Sequence, residues 1–168
     1  MTGRFVLRFV IDEHVGFASP VRIERLDAYR GDRLRGANPG GWEPVEWDEL
    51  LDGRLGPWAF ALEGERVVAI CHTPVAMTAG SAECGVWTDP AFRGRGYAAA
   101  VTAAWAAMLR PTGRALMYRC DETNVSSRRV AERLGLRLVG RTWEPERADG
   151  EGKLHPLCSL RQAVRPIS

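Results

Sequence analysis

The sequence predicts a single α/β domain, and three observations point to that class. Short runs of β-branched and aromatic residues alternate with helical stretches along the chain. Two apolar runs separated by a Glu-Gly-Glu turn at 63–65 indicate a β-hairpin. A strand pattern at 81–88 then leads through a glycine-rich loop into an alanine-rich helix at 97–109. At 168 residues, the chain is long enough to bury a substantial core.

The N-terminal elements are the least regular. Residues 5–11 are rich in β-branched and aromatic side chains and predict a first strand. Residues 21–34 have a helical rhythm of apolar positions, and residues 46–55 predict a further short helix. The two hairpin strands follow at 58–62 and 66–73. A variable N-terminal segment is therefore expected ahead of a regular core.

The C-terminal elements are better defined. Residues 97–109 carry apolar side chains on almost every face, so this helix should be buried against a sheet. Residues 115–120 predict the next strand, and residues 125–134 predict a helix that ends at Gly135 in the C′ position. Two more strands are predicted at 136–143 and 154–160.

Composition is ordinary for a globular protein and argues against several functional classes. Hydrophobic residues make up 45% of the chain and charged residues 26%, and the formal net charge of +2 is too small to predict a nucleic-acid partner. No signal peptide or membrane span is evident, so we expect a reduced, cytoplasmic setting. His14 and His155 lack metal-ligand spacing, so no metal site is predicted. Four widely spaced cysteines in apolar runs predict buried thiols: Cys71, Cys84, Cys120 and Cys158.

The glycine-rich loop before the central helix has the features of a phosphate site. The first turn of the helix has no Ser, Thr, Asp or Asn to cap its free N–H groups, and such helix starts bind anions. Gly94 and Gly96 allow close approach of the backbone, while Arg93 and Arg95 add positive charge. The loop therefore predicts a pyrophosphate cradle.

One family of nucleotide sites fits this loop only loosely. Residues 94–99 read Gly-Arg-Gly-Tyr-Ala-Ala, which matches the dinucleotide fingerprint G-x-G-x-x-A. In a dinucleotide-binding fold, the strand runs directly into the first glycine, whereas Asp89-Pro90 interrupts it here. An NAD(P)-dependent oxidoreductase also needs an acidic residue after the next strand, for which Asp121 is the candidate. This alternative remains open at the level of sequence.

Residues 93–98 also read Arg-x-x-Gly-x-Ala, and they resemble the signature R/Q-x-x-G-x-G/A of the GCN5-related N-acetyltransferases. The preceding Gly-Val-Trp-Thr-Asp-Pro at 85–90 is similar to the same family. A second stretch at 124–136 resembles its N-x-x-S helix, which ends in Leu-Gly-Leu. The resemblance extends over 58–143 and looks closest to the FR47-like branch.

This resemblance implies the fold and the reaction. The fold would be a mixed, mostly antiparallel sheet with helices on both faces, in one domain. Its two central parallel strands, at 82–88 and 115–120, would splay to admit acetyl-CoA. Residues 58–161 would form the acetyl-CoA-binding core, and residues 1–57 a variable segment on the acceptor side. The reaction would be transfer of an acetyl group to a primary amine.

The resemblance also implies how acetyl-CoA is held. Backbone groups of Val86 and Thr88 would lie along the pantetheine arm, with Asn124 near its amide. Arg95, Arg128 and Arg129 are candidates for the 3′-phosphate. The predicted cofactor-binding set comprises Val86, Trp87, Thr88, Arg93, Gly94, Arg95, Gly96, Tyr97, Ala98 and Asn124.

Acetyl transfer needs a base for the amine and an acid for the departing thiolate. Glu83 is the first candidate for the base, because it is an acidic residue within an apolar strand where the family often places a carboxylate. His72 is a rival with a suitable intrinsic pKa. Many family members carry a tyrosine acid where this chain has Ala131. Either the role has moved, with Ser127 and Tyr118 as candidates, or the thiolate leaves without a dedicated acid.

The expected partner is an amine on a small molecule or a peptide, and no acceptor motif identifies it further. We expect no nucleic-acid or membrane partner. A homodimer is a family habit that these residues do not require. A non-catalytic module that binds and senses acyl-CoA is the alternative of a different class.

Overall fold

The computed structural model describes residues 2–25, 28–74 and 77–146, with only the backbone given for 28–30. The strands in these residues are β1 (Gly3–Val10), β2 (Arg22–Arg25), β3 (Ala59–Glu63), β4 (Arg66–His72), β5 (Ser81–Thr88), β6 (Ala115–Asp121) and β7 (Arg137–Pro145). The α-helices are α1 (Ala28–Leu34), α2 (Pro44–Leu51), α3 (Tyr97–Leu109) and α4 (Val125–Leu134). None of these helices is long and apolar enough to cross a membrane.

All the described strands belong to one sheet in the order β2-β3-β4-β5-β6-β1-β7. β5 and β6 are parallel, and the other neighbouring pairs are antiparallel. α3 and α4 pack on one face of the sheet, and α2 packs on the other face over β3 and β4. The predicted mixed, mostly antiparallel sheet with helices on both faces is therefore confirmed.

The predicted helix at 21–34 is wrong in its first half. Residues Arg22–Arg25 form β2, which pairs with β3 in a register that places Ile23 opposite Ala61. A helix begins only at Ala28. Short apolar runs are compatible with the periodicity of a helix and with that of a strand. Here the free edge of β3 provides backbone hydrogen-bond partners, and these favour a strand. The other predicted elements up to residue 145 occur within a few residues of their expected bounds, whereas the strand at 154–160 lies outside the described residues.

The position of β1 is a feature that local sequence did not predict. β1 lies between β6 and β7, and its Leu7 is opposite Cys120 on one side and Arg141 on the other. The backbone of Ile11 then donates to the carbonyl of Leu116 at 2.8 Å. The first residues of the chain are thus paired with its C-terminal half.

The alanine-rich helix α3 forms the centre of the larger core. Ten of its residues are buried, which confirms the prediction that it packs against the sheet. Alanine side chains allow the helix to approach β4 closely, and the indole of Trp105 donates to the Thr73 hydroxyl at 3.1 Å. Among the described cysteines, Cys71, Cys84 and Cys120 are buried free thiols, as predicted, while Cys158 lies outside the described residues.

A second, smaller core lies between α2 and the strands β3 and β4, and it contains a stack of aromatic rings that should dominate its stability. The ring of Trp58 is fully buried and lies 4.3 Å from that of Phe60 at an interplanar angle of 23°. We expect Trp58→Ala to lower the free energy of unfolding by about 3–5 kcal/mol, since it leaves a large cavity. Urea denaturation measures the loss. The control Trp143→Ala removes an indole that is 43% exposed and should change stability by less than about 1 kcal/mol. Equal losses in the two variants would contradict this assignment.

Candidate active site

The two central parallel strands separate at one end, as predicted. β5 and β6 pair from Ser81–Ala115 to Cys84–Tyr118, and the pairing stops there. β5 continues to Thr88 and β6 to Asp121. The backbone of 85–88 that faces β6 is therefore free of ladder partners from that strand. This half of β5 contains the predicted pantetheine-binding residues Val86, Trp87 and Thr88.

The loop after β5 is held by an acidic side chain. Asp89 accepts a hydrogen bond from the N–H of Ala91 at 2.9 Å and pairs with Arg66 at 2.6 Å. The Ala91 N–H and, secondarily, the guanidinium of Arg66 keep the pKa of Asp89 below its usual value. The chain then turns through Gly94 and Gly96, both in the left-handed region with φ of 78° and 87°. This backbone conformation favours glycine at both positions, while the predicted close approach of a phosphate to them stays a prediction.

The start of α3 is open to an anion. Gly96 is the N-cap residue and has no side chain with which to satisfy the first N–H groups. A Cβ at Gly94 would meet nothing within 4 Å, so this side of the loop is open. A Cβ at Gly96 would lie 3.1 Å from Nη1 of Arg133 and 3.3 Å from the ring of Phe17. The free N–H groups, the helix dipole and the guanidinium of Arg133 together favour a phosphate group here.

Arg133 and Phe17 are absent from the sequence-based prediction. Arg133 lies in the last turn of α4, and Phe17 lies between β1 and β2, far from the loop along the chain. The single local signal was the i, i+4 spacing of Arg129 and Arg133 on α4, which puts the two arginines on one helical face. Phe17 had no local signal, because its position depends on the path of the chain after β1.

Two other residues of the loop make contacts within the protein. The guanidinium of Arg95 lies 4.9 Å from the centre of the Phe92 ring, and that of Arg66 lies 5.2 Å from it. The hydroxyl of Tyr97 donates to the carboxylate of Glu63, which raises the pKa of Tyr97. Tyr97 thereby anchors the start of α3 to β3. The side chain of Arg93 is exposed.

The second predicted stretch brings three of the candidate residues together. Asn124 caps α4, because its Oδ1 accepts a hydrogen bond from the N–H of Ser127 at 3.0 Å. The hydroxyl of Tyr118 donates to the carbonyl of Ser127 at 3.2 Å. Burial raises the pKa of Tyr118 well above its ordinary value. The hydroxyl of Ser127 makes no hydrogen bond to any described residue, and Ala131 is fully buried one turn further along α4.

Glu83 lies on the opposite face of the sheet from this group. Cys84 and Tyr118 are register partners, so Glu83 and its partner Met117 point to the other face. The side chain of Glu83 is 21% exposed, and its nearest described cation is Nη1 of Arg119 at 3.9 Å. The structure thus groups Asn124, Ser127 and Tyr118, and places Glu83 across the opening between β5 and β6.

His72 is on the same face as Glu83. His72 is opposite Gly85 in the β4–β5 ladder, which makes it a diagonal neighbour of Glu83. It is only 2% exposed, and its ring lies edge-on to that of Trp42 with the centroids 5.1 Å apart. Glu83 is therefore the more accessible of the two groups to a molecule that enters from solvent.

Two alternative site types can be compared with the described residues. Within residues 2–25, 28–74 and 77–146, no group of three or more His, Cys, Asp or Glu side chains could hold a metal ion. The dinucleotide alternative requires a parallel sheet, whereas β5–β6 is the single parallel pair among the described strands. Asp121, its proposed ribose ligand, instead accepts hydrogen bonds from the backbone and hydroxyl of Thr123.

A sheet that opens between two parallel strands, beside an uncapped helix start, is the arrangement that the resemblance to the GCN5-related N-acetyltransferases implies. Comparison with known families agrees: the family model described as acetyltransferase (GNAT) domain matches residues 20–137. The chain belongs to the GNAT acetyltransferase family. No curated protein matches it in sequence.

Solved structures share the fold. A GNAT-family structure from Novosphingobium aromaticivorans is 23% identical with a TM-score of 0.63, and the match covers 85% of this chain and 63% of the other. A GNAT-family acetyltransferase from Colwellia psychrerythraea is 11% identical with a TM-score of 0.64, and the match covers 85% of this chain and 56% of the other. A GCN5-related N-acetyltransferase from Sphaerobacter thermophilus is 20% identical with a TM-score of 0.58, and the match covers 85% of this chain and 50% of the other. The chain therefore spans about half to two-thirds of the length of these structures.

Proposed function

We propose that this protein transfers an acetyl group from acetyl-CoA to a primary amine of a small molecule or a peptide by direct attack. The observation that carries the proposal is the end of β5–β6 pairing at Cys84, next to the open start of α3. A long, narrow cofactor with a phosphate-rich end fits a gap between strands that leads to a helix N-terminus. Family membership supports the same reaction class.

Each part of acetyl-CoA would have a partner among the residues around the opening. The N–H groups of 94–98 would bind the pyrophosphate, with Arg93, Arg95 and Arg133 supplying positive charge nearby. The free backbone of Val86, Trp87 and Thr88 would pair with the amides of the pantetheine arm. Nδ2 of Asn124 would donate to the same arm, since the Oδ1 of Asn124 is already bonded to Ser127.

Bound acetyl-CoA supplies an activated thioester. Glu83 would take a proton from the amine, directly or through water, as the N–C bond forms. As the C–S bond breaks, the sulfur would receive a proton from solvent relayed by the Ser127 hydroxyl. We favour Ser127 over Tyr118 for this step because the Tyr118 proton is committed to the Ser127 carbonyl and its pKa is strongly raised.

Parallel calorimetric titrations with acetyl-CoA, coenzyme A and NADPH test the proposal. We expect micromolar binding of the two coenzyme A compounds, no binding of NADPH, and release of free thiol when an amine acceptor is added. Binding of acetyl-CoA without thiol release from any amine would favour the non-catalytic sensing module. Absence of acetyl-CoA binding would overturn the proposal.

The two candidate acids give different results on removal of a hydroxyl. Ser127→Ala should lower kcat about 10-fold or more with little change in the Kd for acetyl-CoA, because it removes the proton relay alone. Tyr118→Phe should leave kcat within about threefold of the wild type, since it removes one hydrogen bond to a backbone carbonyl. Steady-state thiol release measures both. A larger loss of kcat in Tyr118→Phe would transfer the role to Tyr118.

Three finer assignments belong to the same proposal. The Gly-Val-Trp-Thr-Asp-Pro stretch and the N-x-x-S helix support placement in the FR47-like branch of the family. The buried free thiols of the described residues fit a reducing, cytoplasmic setting. A homodimer remains an expectation based on family habit, and sedimentation of the full chain would test it.

A further inference from the structure

Glu83 belongs to a cluster of four charged side chains, and the proposed chemistry does not use the other three. Glu83 on β5, Arg119 on β6, Arg8 on β1 and Glu144 on β7 share the face of the sheet opposite α3. Arg119 donates to Glu144 through Nη2 and approaches Glu83 through Nη1 at 3.9 Å. Arg8 lies 3.6 Å from Glu144. We call this group the four-charge cluster.

We propose that the four-charge cluster selects amine acceptors that carry a carboxylate on the same carbon, that is, α-amino acids. This inference rests on the proposed function, because it takes Glu83 as the group that receives the amine. Arg119 would bind the carboxylate of the acceptor while Glu83 binds its amine. Arg119 is then a specificity-determining residue beside the base.

The first argument is the unused donor capacity of the two arginines. Within the described residues, Nη1 of Arg119 has no hydrogen bond, since 3.9 Å to Glu83 is too long for one. Nε of Arg8 is buried and also has no partner there. A donor without an acceptor is unfavourable in a partly buried site, and a carboxylate in front of Nη1 of Arg119 would satisfy that nitrogen.

The second argument is the register of the two strands. Arg8 and Arg119 are directly opposite each other in the β1–β6 ladder. Like charges at such positions repel, and Glu144 bonds to only one nitrogen of Arg119. Glu83 is the second carboxylate near this pair, and once it binds the ammonium group of an acceptor it offsets the charge of Arg119 less. A carboxylate on the acceptor would replace that lost compensation.

The third argument is distance. The amine and the carboxylate of an α-amino acid are attached to one carbon, so both can be bound only by groups that are close together. Glu83 Oε1 and Arg119 Nη1 are 3.9 Å apart and only about a quarter or less exposed. Their opposite charges match the zwitterion, and partial burial strengthens both contacts. An amine without a carboxylate would leave Nη1 of Arg119 without a hydrogen-bond partner, while Nη2 keeps its bond to Glu144.

The test compares each amino acid with its own α-amide, which keeps the amine and removes the negative charge. Acetylation is followed by thiol release in the wild type and in Arg119→Met, Arg119→Lys and Arg137→Met. Arg137→Met is the matched control, since Arg137 is another strand arginine paired with a carboxylate, Asp12, outside the cluster. Calorimetry with acetyl-CoA accompanies every variant.

We expect the wild type to prefer the amino acid over its amide by about 10- to 100-fold in kcat/KM. Arg119→Met should remove this preference by raising KM for the amino acid alone, Arg119→Lys should restore part of it, and Arg137→Met should retain it. If Arg119 had a merely structural role, Arg119→Met would instead lower kcat/KM equally for the amino acid and for its amide. That result would overturn the inference.

Other outcomes separate the inference from the proposed function. Acetylation of amides or of amines without a carboxylate at least as fast as of amino acids would overturn the inference and leave acetyl transfer intact. Failure to bind acetyl-CoA, or to acetylate any amine, would overturn both.

Discussion

Gly96→Glu should weaken acetyl-CoA binding by about 100-fold or more. Gly96 has a φ of 87°, where a side chain is strained by about 1–2 kcal/mol. Its Cβ would be 3.1 Å from Nη1 of Arg133 and 3.3 Å from the ring of Phe17, so these two side chains would have to move by a few tenths of an ångström. The new carboxylate would also repel the phosphates. Loss of two charge-assisted hydrogen bonds, each about 1.5–3 kcal/mol, accounts for the magnitude.

The matched control for this prediction is Gly113→Glu. Gly113 also has a left-handed backbone, with φ of 71°, but a Cβ there meets nothing within 4 Å. It lies beyond the other end of α3, so it reproduces the backbone strain without touching the candidate phosphate site. Calorimetry gives the Kd, and thermal unfolding shows that both variants are folded. Wild-type affinity in folded Gly96→Glu would remove the phosphate site from this loop.

Glu83→Gln should lower kcat by about 100- to 10,000-fold, the range for loss of a general base. The amide keeps the shape of the side chain and its place beside Arg119, but it cannot accept the amine proton. The Kd for acetyl-CoA should change little, because Glu83 lies away from the phosphate loop. Thiol release at saturating acetyl-CoA measures the effect.

Two further variants make this result specific. Glu132→Gln removes an exposed carboxylate on α4 and should leave kcat within about twofold of the wild type. His72→Asn tests the rival base. A large loss in His72→Asn together with near-normal turnover in Glu83→Gln would assign the base to His72.

Local sequence was sufficient for the elements around the predicted cofactor site. Tyr97–Leu109, Ser81–Thr88 and Val125–Leu134 were predicted at the bounds that the structure shows. Their signals are short-range ones: glycines that permit positive φ, an alanine-rich helix, and an Asn cap that bonds three residues on. The roles of Gly94, Gly96 and Asn124 in binding the cofactor were inferred from the same stretches and stay predictions.

Backbone pairing between segments that are distant in the sequence determined the features of the fold that were not predicted. Residues 22–25 became a strand because β3 offered a free edge, a partner that no local pattern at 21–34 reveals. β1 inserts between β6 and β7, and this brings Arg8 opposite Arg119 across more than a hundred residues of chain. Phe17 and Arg133 meet Gly96 for the same reason. A periodic pattern specifies which face of an element is buried, whereas its neighbours in the sheet depend on backbone hydrogen bonds formed between distant segments.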